Sequence, residues 1–344
     1  MAADIAQKVG ASHTAILGIG AYRPKRIVPN AELVEAIDSS DEWIQTRSGI
    51  KNRRFADRFD EGIVMMSAAA SRKALDVSGV SADQIGCVIV ATQSDVMIGP
   101  SRGPQVAHEL GMHDCAAFDI KVGCAGFGHA LALASDMVRG GTAQYVLVVG
   151  VERLSDLLDK HDRTCAFIFA DGAGAAVVGP SDSVGIGPVA WGSDGSQSAA
   201  IKQDKDFLTY FDEVAEQGSA AQRPYIRMEG TAVFRWAASF LEKACRAAVD
   251  AAGLTMDDIE VFVPHQANIR ITDVLARVLK LPDNVIVAKD IIEAGNTSAA
   301  SIPLAIEQLL RSGEAKPGQT ALLMGFGAGL AYAGQVVTLP PLGE

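Results

Sequence analysis

Apolar and polar positions alternate along the chain in two rhythms, short strand-like runs and longer stretches with helical spacing. Residues 16–22 read as a first buried strand, followed by a polar loop around Pro29 and a short helix over 30–38. Ser39-Ser40-Asp41 then caps a second helix, which carries Trp43 and Arg47. Residues 62–78 are rich in Ala and Met on all sides, the mark of a helix buried between layers, and 87–92 is the strand after it. Gly99-Pro100 and Gly103-Pro104 punctuate a loop that leads to a helix over 105–110 and a strand over 117–122. The helix that starts at the Gly123-Cys124 turn and runs to about Arg139 offers only His129 and Asp136 as charge candidates before its end, so it is expected between two sheets. Strands over 145–150, 166–170 and 174–178 follow, and Gly179-Pro180 punctuates the junction. Residues 192–224 mix Gly, Ser, Gln and Asp without period and read as a long cap or lid, and strand–helix alternation returns from Met228.

One strand-turn-helix-strand stretch occurs twice. Residues 124–150 and 299–325 align without a gap, with Cys124 on Ala299, Ala130 on Ala305 and Gly150 on Gly325. Ala74-Leu75-Asp76 to Ile85 echoes Ala248-Val249-Asp250 to Ile259 at almost the same offset of about 175 residues. The pattern predicts a fused duplication: a half over 1–179 that carries Cys124 and a half over 180–344 that carries His265 and Asn296. Parallel-type sheets covered by helices, twice over, predict an α/β fold of five layers, αβαβα, with mixed and mainly parallel strands. A pseudo-twofold would gather equivalent strand ends of the two halves at one site.

Composition narrows the classes. The 344 residues are 49% hydrophobic and 21% charged, enough for a large core. Apolar stretches such as 145–151 and 321–326 are far short of the roughly 20 residues that cross a bilayer. Residues 1–12 lack a basic flank and an apolar core, so a soluble, cytoplasmic protein without membrane contact is expected. Five cysteines without regular spacing, no CxxC pair and no histidine cluster favour neither a disulfide framework nor a zinc site. A net charge of -11 argues against nucleic-acid binding and requires a local basic patch for any acidic partner.

Three residues carry candidate chemistry. Cys124 follows a strand and is surrounded by Gly123, Ala125, Gly126 and Gly128, a cysteine form of the nucleophile elbow, although a buried core cysteine is the plainer alternative. The helix end is expected to draw the thiol pKa from about 8.5 towards about 7. His265 ends an apolar strand at Val263-Pro264, where active sites of open α/β sheets lie, against the alternative of a satisfied core histidine. Asn296 follows Gly295 and precedes Thr297-Ser298-Ala299-Ala300-Ser301, where helix capping is its alternative role. Histidine and asparagine donating to one carbonyl oxygen would stabilise an enolate, and the glycine-rich 325–329 stretch can aim N–H groups at a second oxyanion.

In order and spacing, Ser40-Asp41-Glu42-Trp43-Ile44, Cys124-Ala125-Gly126-Phe127, the His265 segment, Gly295-Asn296-Thr297-Ser298 and Gly325-Phe326-Gly327 resemble β-ketoacyl-acyl-carrier-protein synthase III over nearly the whole chain. The resemblance implies a thiolase-like fold, a homodimer and the initiating condensation of type II fatty-acid synthesis. It implies an acyl group moving from acyl-coenzyme A to Cys124, then decarboxylative condensation with malonyl-acyl-carrier protein. Coenzyme A enters as a thioester substrate, with no cofactor and no metal expected. By the same resemblance, His265 and Asn296 hold the malonyl thioester oxygen, the N–H groups of Cys124 and Ala328 form the oxyanion hole, and Phe326 shields the thiol. Trp43, Arg47 and Arg163 would contact the coenzyme A adenine and phosphates. Phe234 and Asn268 would line the pantetheine tunnel, and Arg235, Arg270, Arg277 and Lys280 would face the acidic carrier protein.

Some positions depart from that pattern. Thr231 and Thr164 replace the usual residues near the coenzyme A site. Lys121, just before the nucleophile, is expected to face away from the thiol, because an unpaired buried ammonium is costly. Gly99, where a bulky residue can cap the acyl pocket from across a dimer, predicts primers longer or bulkier than acetyl. The rival within the fold is a specialised ketosynthase or acyltransferase of a polyketide pathway. A degradative thiolase would need a second cysteine in 325–334, a non-catalytic carrier-binding subunit needs no thiol, and a cysteine hydrolase leaves the duplication unexplained.

Overall fold

Alanine- and glycine-rich interfaces let the two copies of the repeated stretch interlock at the centre of the molecule. The computed structural model describes residues 5–343. The first half runs β1 (His13–Tyr22), β2 (Arg26–Pro29), α1 (Asp41–Ser48), β3 (Asn52–Phe55), α2 (Ile63–Ser78), β4 (Ile85–Ala91), α3 (Arg102–Glu109), β5 (Ala116–Ile120), α4 (Gly126–Arg139), β6 (Tyr145–Arg153) and β7 (Asp171–Ser181). The rest runs β8 (Ala190–Ser193), β9 (Ile201–Gln203), α5 (Phe207–Gln217), β10 (Ile226–Met228), α6 (Gly230–Ala251), β11 (Val261–Pro264), α7 (Ile269–Leu279), β12 (Ile286–Val287), α8 (Ile291–Ala294), α9 (Ser301–Ser312), β13 (Thr320–Gly327) and β14 (Ala331–Thr338).

Two five-stranded sheets result, ordered β1-β7-β6-β4-β5 and β12-β11-β13-β14-β8. In each, two neighbouring pairs are parallel and two antiparallel, so that only β7 and β14 run against the other four strands, and the position of every strand matches across the repeat. The apolar helices α4 and α9 fill the space between the sheets, where their residues share one core with strands from both. Helices α2 and α3 cover the outer face of the first sheet, and α6 and α7 cover that of the second, giving five layers.

The aligned glycines show why the repeat is tight. A Cβ on Gly150 would lie 2.3 Å from the Ala299 carbonyl oxygen, and one on Gly325 would lie 3.2 Å from the Ala125 Cα. Each half's strand therefore presses on the other half's turn, and the turns at 123–125 and 298–300 meet at the sheet ends.

Several expected elements differ. Residues 30–38 form only a 3-10 turn, Asn30–Glu32, because Asn30 spends its side chain on Asp41, the Ile50 carbonyl and Arg53, and Asp38 turns left-handed at φ 48°. Residues 26–29 are a strand rather than a polar loop, paired with β3. Residues 166–170 are turns, with Phe169 bridging Asn296, instead of a strand. The strand expected to stop at 178 continues through Gly179 and Pro180 to Ser181. The region 192–224 is not irregular throughout: Asp206 accepts from the Thr209 N–H at 2.7 Å and caps α5. Lys121 is exposed, pointing its charge to solvent.

Candidate active site

Three backbone devices bring the candidate residues together. Gly123, at φ 53°, makes the turn that lifts Cys124 off the end of β5 and into the first turn before α4. A Cβ on Gly327 would stand 2.7 Å from the Cys124 Cβ, so that glycine keeps room for the thiol. Pro264 ends β11, and the His265 N–H donates to the Met324 carbonyl at 2.8 Å, fixing the histidine beside β13. Asn296 is held from both sides by the first half: its N–H donates to the Ile168 carbonyl at 2.9 Å and its carbonyl accepts from Ala170 at 2.8 Å.

Cys124, His265 and Asn296 all line one cavity of about 910 Å³. Phe326 forms part of its floor and packs edge-on to His265, ring centroids 5.2 Å apart. Trp43, Arg47 and Arg163 stand at the cavity's mouth together with Thr164 and Thr231. Ser40 caps α1 by accepting from the Trp43 N–H, which puts Trp43 and Arg47 on one short helix. Both guanidiniums lie over the indole, Arg163 at 4.8 Å and Arg47 at 5.5 Å from its centroid. The slot expected for an adenine is occupied by the protein's own cations.

Electrostatics settle which groups are charged. Burial alone pushes the His265 imidazole down to about 3, so it is neutral at any physiological pH. Its Nδ1 lies 2.7 Å from the Ser301 Oγ, which also accepts from the Gln266 N–H at 3.3 Å. A Ser301 Oγ–H donating to Nδ1 would place the ring proton on Nε2, the tautomer in which the imidazole is a donor towards the cavity. Asn296 is oriented in the same way, its Oδ1 accepting from the Ser298 N–H at 2.8 Å and leaving Nδ2 free to donate.

The thiol contradicts the sequence expectation. Burial raises Cys124 up to about 12, outweighing the Ser298 hydroxyl and the N–H groups of Cys124 and Ala328 that favour the thiolate, while Glu152 opposes it. The expected fall towards 7 took account of the helix end and missed the depth at which the sulfur sits. Cys87, Cys165 and Cys245 are buried and Cys115 half-buried, all as free thiols.

The remaining residues divide. Phe234, Asn268, Arg235 and Arg270 line the cavity, and Arg270 lies over the Phe234 ring. Asn268 also caps α7 and donates to the Arg47 carbonyl at 3.0 Å, so both ends of its amide are engaged. Arg277 and Lys280 are exposed on and just after α7, away from the cavity. Ala328 does not line the cavity wall, and its N–H favours the Cys124 thiolate. Gly99 is exposed, has nothing within 4 Å of its Cβ position and does not reach the cavity within one chain. Ser301, Ser298 and Glu152 were missed; the visible signals were hydroxyls clustered after Asn296 and an acid ending the apolar run 145–151. Among the described residues no cluster of His, Cys, Asp or Glu could hold a metal, and no helix is long and apolar enough to cross a membrane.

A duplicated α/β sandwich in which a cysteine of one half meets a histidine and an asparagine of the other defines the thiolase-fold condensing enzymes. Comparison makes the assignment narrower. The models of 3-oxoacyl-[acyl-carrier-protein] synthase III and of its C-terminal domain match residues 118–195 and 249–339. The chain is 52% identical, over 98% of its length and 99% of the relative's, to mycobacterial β-ketoacyl-[acyl-carrier-protein] synthase III of Mycolicibacterium paratuberculosis. It is 53% identical to the β-ketoacyl-[acyl-carrier-protein] synthase III of Streptomyces glaucescens, over 96% of this chain and 98% of that one. Among solved structures, the priming β-ketosynthase of a polyketide biosynthetic pathway superposes with a TM-score of 0.94 at 45% identity, covering 98% of this chain and 99% of that one. The synthase III of Aquifex aeolicus superposes with a TM-score of 0.85 at 35% identity, over 94% and 99%. The chain belongs to the β-ketoacyl-acyl-carrier-protein synthase III family.

Proposed function

We propose that this chain is the initiating condensing enzyme of fatty-acid synthesis, with Cys124 as the acyl carrier and His265 and Asn296 as the paired donors for condensation. In the first half-reaction the Cys124 sulfur attacks an acyl-coenzyme A thioester, with the N–H groups of Cys124 and Ala328 facing the developing oxyanion, and coenzyme A leaves. In the second, malonyl-acyl-carrier protein binds with its thioester oxygen between His265 Nε2–H and Asn296 Nδ2–H, carbon dioxide leaves, and the carbanion attacks the acyl-cysteine. The observation that carries this reading is the convergence of all three groups on one cavity, with a buried histidine held neutral and its Nδ1 engaged by Ser301. No cofactor is required by these steps. The test is product analysis after adding an acyl-coenzyme A and malonyl-acyl-carrier protein: a β-ketoacyl-carrier protein two carbons longer than the primer supports it, and hydrolysis alone rejects it. The high similarity to a priming ketosynthase supports a second reading, the same chemistry feeding a polyketide carrier protein. Relative kcat/KM with the two carrier proteins separates them.

Adenine binding at Trp43 has a measurable consequence. Because Arg163 already stacks on the indole, the nucleotide must displace or join it, and the ring's contribution is to binding rather than chemistry. Trp43→Ala is expected to raise KM for acyl-coenzyme A about tenfold with kcat unchanged. An unchanged KM removes Trp43 from the site. The cations Arg235, Arg270, Arg277 and Lys280, exposed around α6 and α7, supply the local basic surface that a chain of net charge -11 needs to dock an acidic carrier.

A homodimer is part of the proposal, as are two halves meeting near 179–180. β5 is the open edge of the first sheet, Phe118 on it is 36% exposed, and Val96, Met97 and Ile98 stand out in the preceding loop. Pairing of two copies along β5 would cover these groups and carry the Gly99 loop towards the partner's cavity; light scattering should then give twice 36.0 kDa. Glycine there leaves the pocket end open, so branched or octanoyl primers are expected to exceed acetyl-coenzyme A in kcat/KM. A clear preference for acetyl would reject that assignment of Gly99.

A further inference from the structure

One cation ties together the segments that frame the cavity mouth. Arg227, on β10, does not line the cavity, yet its guanidinium reaches three carboxylates from segments far apart in sequence. Nη1 donates to Asp159 Oδ2 at 2.9 Å and to Asp162 Oδ2 at 2.8 Å, and Nε donates to Asp204 Oδ2 at 3.1 Å. Each acid spends its other oxygen on nearby backbone. Asp159 Oδ1 accepts from the His161 N–H at 3.1 Å, and Asp162 Oδ1 accepts from the Thr164 N–H at 2.8 Å and the Thr164 hydroxyl at 2.6 Å. Asp204 Oδ1 accepts from the Tyr225 N–H at 3.0 Å, joining the end of β9 to the start of β10. The acids thus shape their own turns with one oxygen and share a guanidinium with the other.

Two stretches of the cavity wall meet at this cation. Residues 159–164 carry Arg163 and Thr164, which line the cavity, with Arg163 standing 4.8 Å from the Trp43 ring centroid. Among the described residues the backbone hydrogen bonds of this loop stay local, from the Asp162 N–H to the Asp159 carbonyl and from the Cys165 and Ala166 N–H groups to the Asp162 carbonyl. Its side chains are anchored elsewhere by the His161 ring against the Ala36 carbonyl at 3.2 Å and by the two carboxylates on Arg227. The second stretch starts one residue after Arg227, where Met228, Glu229, Gly230 and Thr231 line the cavity. Met228 packs with Trp43 against the core group that contains Phe167, and Cys165 Sγ lies 3.6 Å from the Ile226 carbonyl. One positive charge faces three negative ones, and among the described residues no other cation pairs with those acids. The Arg227 side chain is 33% exposed and that of Asp162 10%, so the cluster is better shielded from water than an ordinary surface pair. Without the guanidinium, three carboxylates would repel one another between 159–164 and β10.

We propose that Arg227 is a positioning residue for coenzyme A: by clamping 159–164 to β10 it holds Arg163 over Trp43 in the arrangement that receives the nucleotide. Arg227 touches no substrate and acts through Arg163, and its role rests on the reading of Trp43 and Arg163 as nucleotide contacts given above. The geometry selects arginine at this place. Asp159 and Asp162 meet Nη1 while Asp204 meets Nε, so the acids use separate N–H groups of one planar fork, whereas a lysine ammonium is a single point of charge. A clamp of this kind serves binding rather than chemistry, because the cysteine, histidine and asparagine of the cavity are held by other elements, at the end of β5, the end of β11 and the turn before α9.

Coenzyme A itself, titrated by calorimetry into the full chain, is the probe. Arg227→Met is expected to weaken its binding about tenfold, the scale of one well-placed cation on an aromatic face. Arg227→Lys should weaken it about threefold, since it keeps the charge without the fork. In turnover by Arg227→Met, KM for an acyl-coenzyme A should rise by about the same tenfold with kcat unchanged. The N-acetylcysteamine thioester of the same acyl group, which lacks the nucleotide, should show wild-type kcat/KM. With Arg163→Ala already in place, either Arg227 variant should cost less than about twofold more, because both residues act on one contact. Wild-type affinity in Arg227→Met overturns the proposal. Wild-type affinity in Arg227→Lys does so too, since it would leave only an effect of charge, as do losses at 163 and 227 that multiply when combined. Equal losses with the two thioesters would mark general damage to the fold and also overturn it. If Arg227→Met does not fold, Arg227→Lys, alone and with Arg163→Ala, decides the matter. A wild-type chain that binds coenzyme A yet gains no acyl mass from its thioesters rejects the acyl-cysteine reading and leaves the role of Arg227 standing.

Discussion

Cys124→Ala will take up no mass from any acyl-coenzyme A and will lose condensation by about 10⁴-fold or more, the scale seen when a nucleophile that forms a covalent intermediate is removed. The expectation is strong because the competing thiols are poor candidates. Cys87, Cys165 and Cys245 are buried away from the cavity, Cys115 is half-buried on the outer side of the first sheet's edge, and only Cys124 lines the space shared with His265 and Asn296. Burial pushes its pKa up to about 12, so the thiol is protonated at pH 7. Acylation must therefore be coupled to proton removal rather than drawn from a standing pool of thiolate. Folding should survive: losing one buried sulfur costs about 1 kcal/mol, a few degrees in Tm at most. An acyl adduct that persists in Cys124→Ala, mapped to any other cysteine, ends the assignment.

Much of this was legible in the chain because duplication writes the fold twice. Gly150 and Gly325 align since each must let the opposite half's turn come within van der Waals contact, and that requirement is visible as an identical residue at an identical place. Ser40 before Trp43 read correctly as a cap, because capping is local chemistry. What failed depended on tertiary placement. Residues 166–170 look like a strand, being apolar and β-branched in part, but their hydrogen bonds go to a turn and to Asn296. Helix α5 was hidden because Leu208, Phe211 and Val214 keep helical spacing inside a polar neighbourhood, and none of them is buried in one chain. The acidity of Cys124 was misjudged for a related reason: a helix end can be read from neighbours in sequence, whereas the amount of water excluded from the sulfur cannot. Ser301 and Glu152 belong with these misses, since their meaning lies in the atoms they face.

His265→Ala will retain the acyl adduct and lose decarboxylative condensation by about 10²- to 10³-fold, the usual cost of one preorganised donor. The split follows from the proposed roles, in which His265 and Asn296, lining the cavity, serve condensation while the backbone N–H groups of Cys124 and Ala328, which favour the thiolate, serve acyl transfer. The pH dependence gives a second check. The folded-state pKa of His265 lies near 3, below its unfolded value of about 6.5, so between those values the unfolded chain binds a proton that the folded one refuses. His265 thus contributes stability that is fully present above about pH 6.5 and is lost as pH falls towards 3. Over pH 5 to 9 the condensation step should show no ionisation from this imidazole, and His265→Ala should resist acid unfolding better than the wild type. A condensation profile that falls with an apparent pKa near 6.5 in the wild type, and loses that limb in His265→Ala, would show that the imidazole titrates, and the role of a permanently neutral donor would have to be given up.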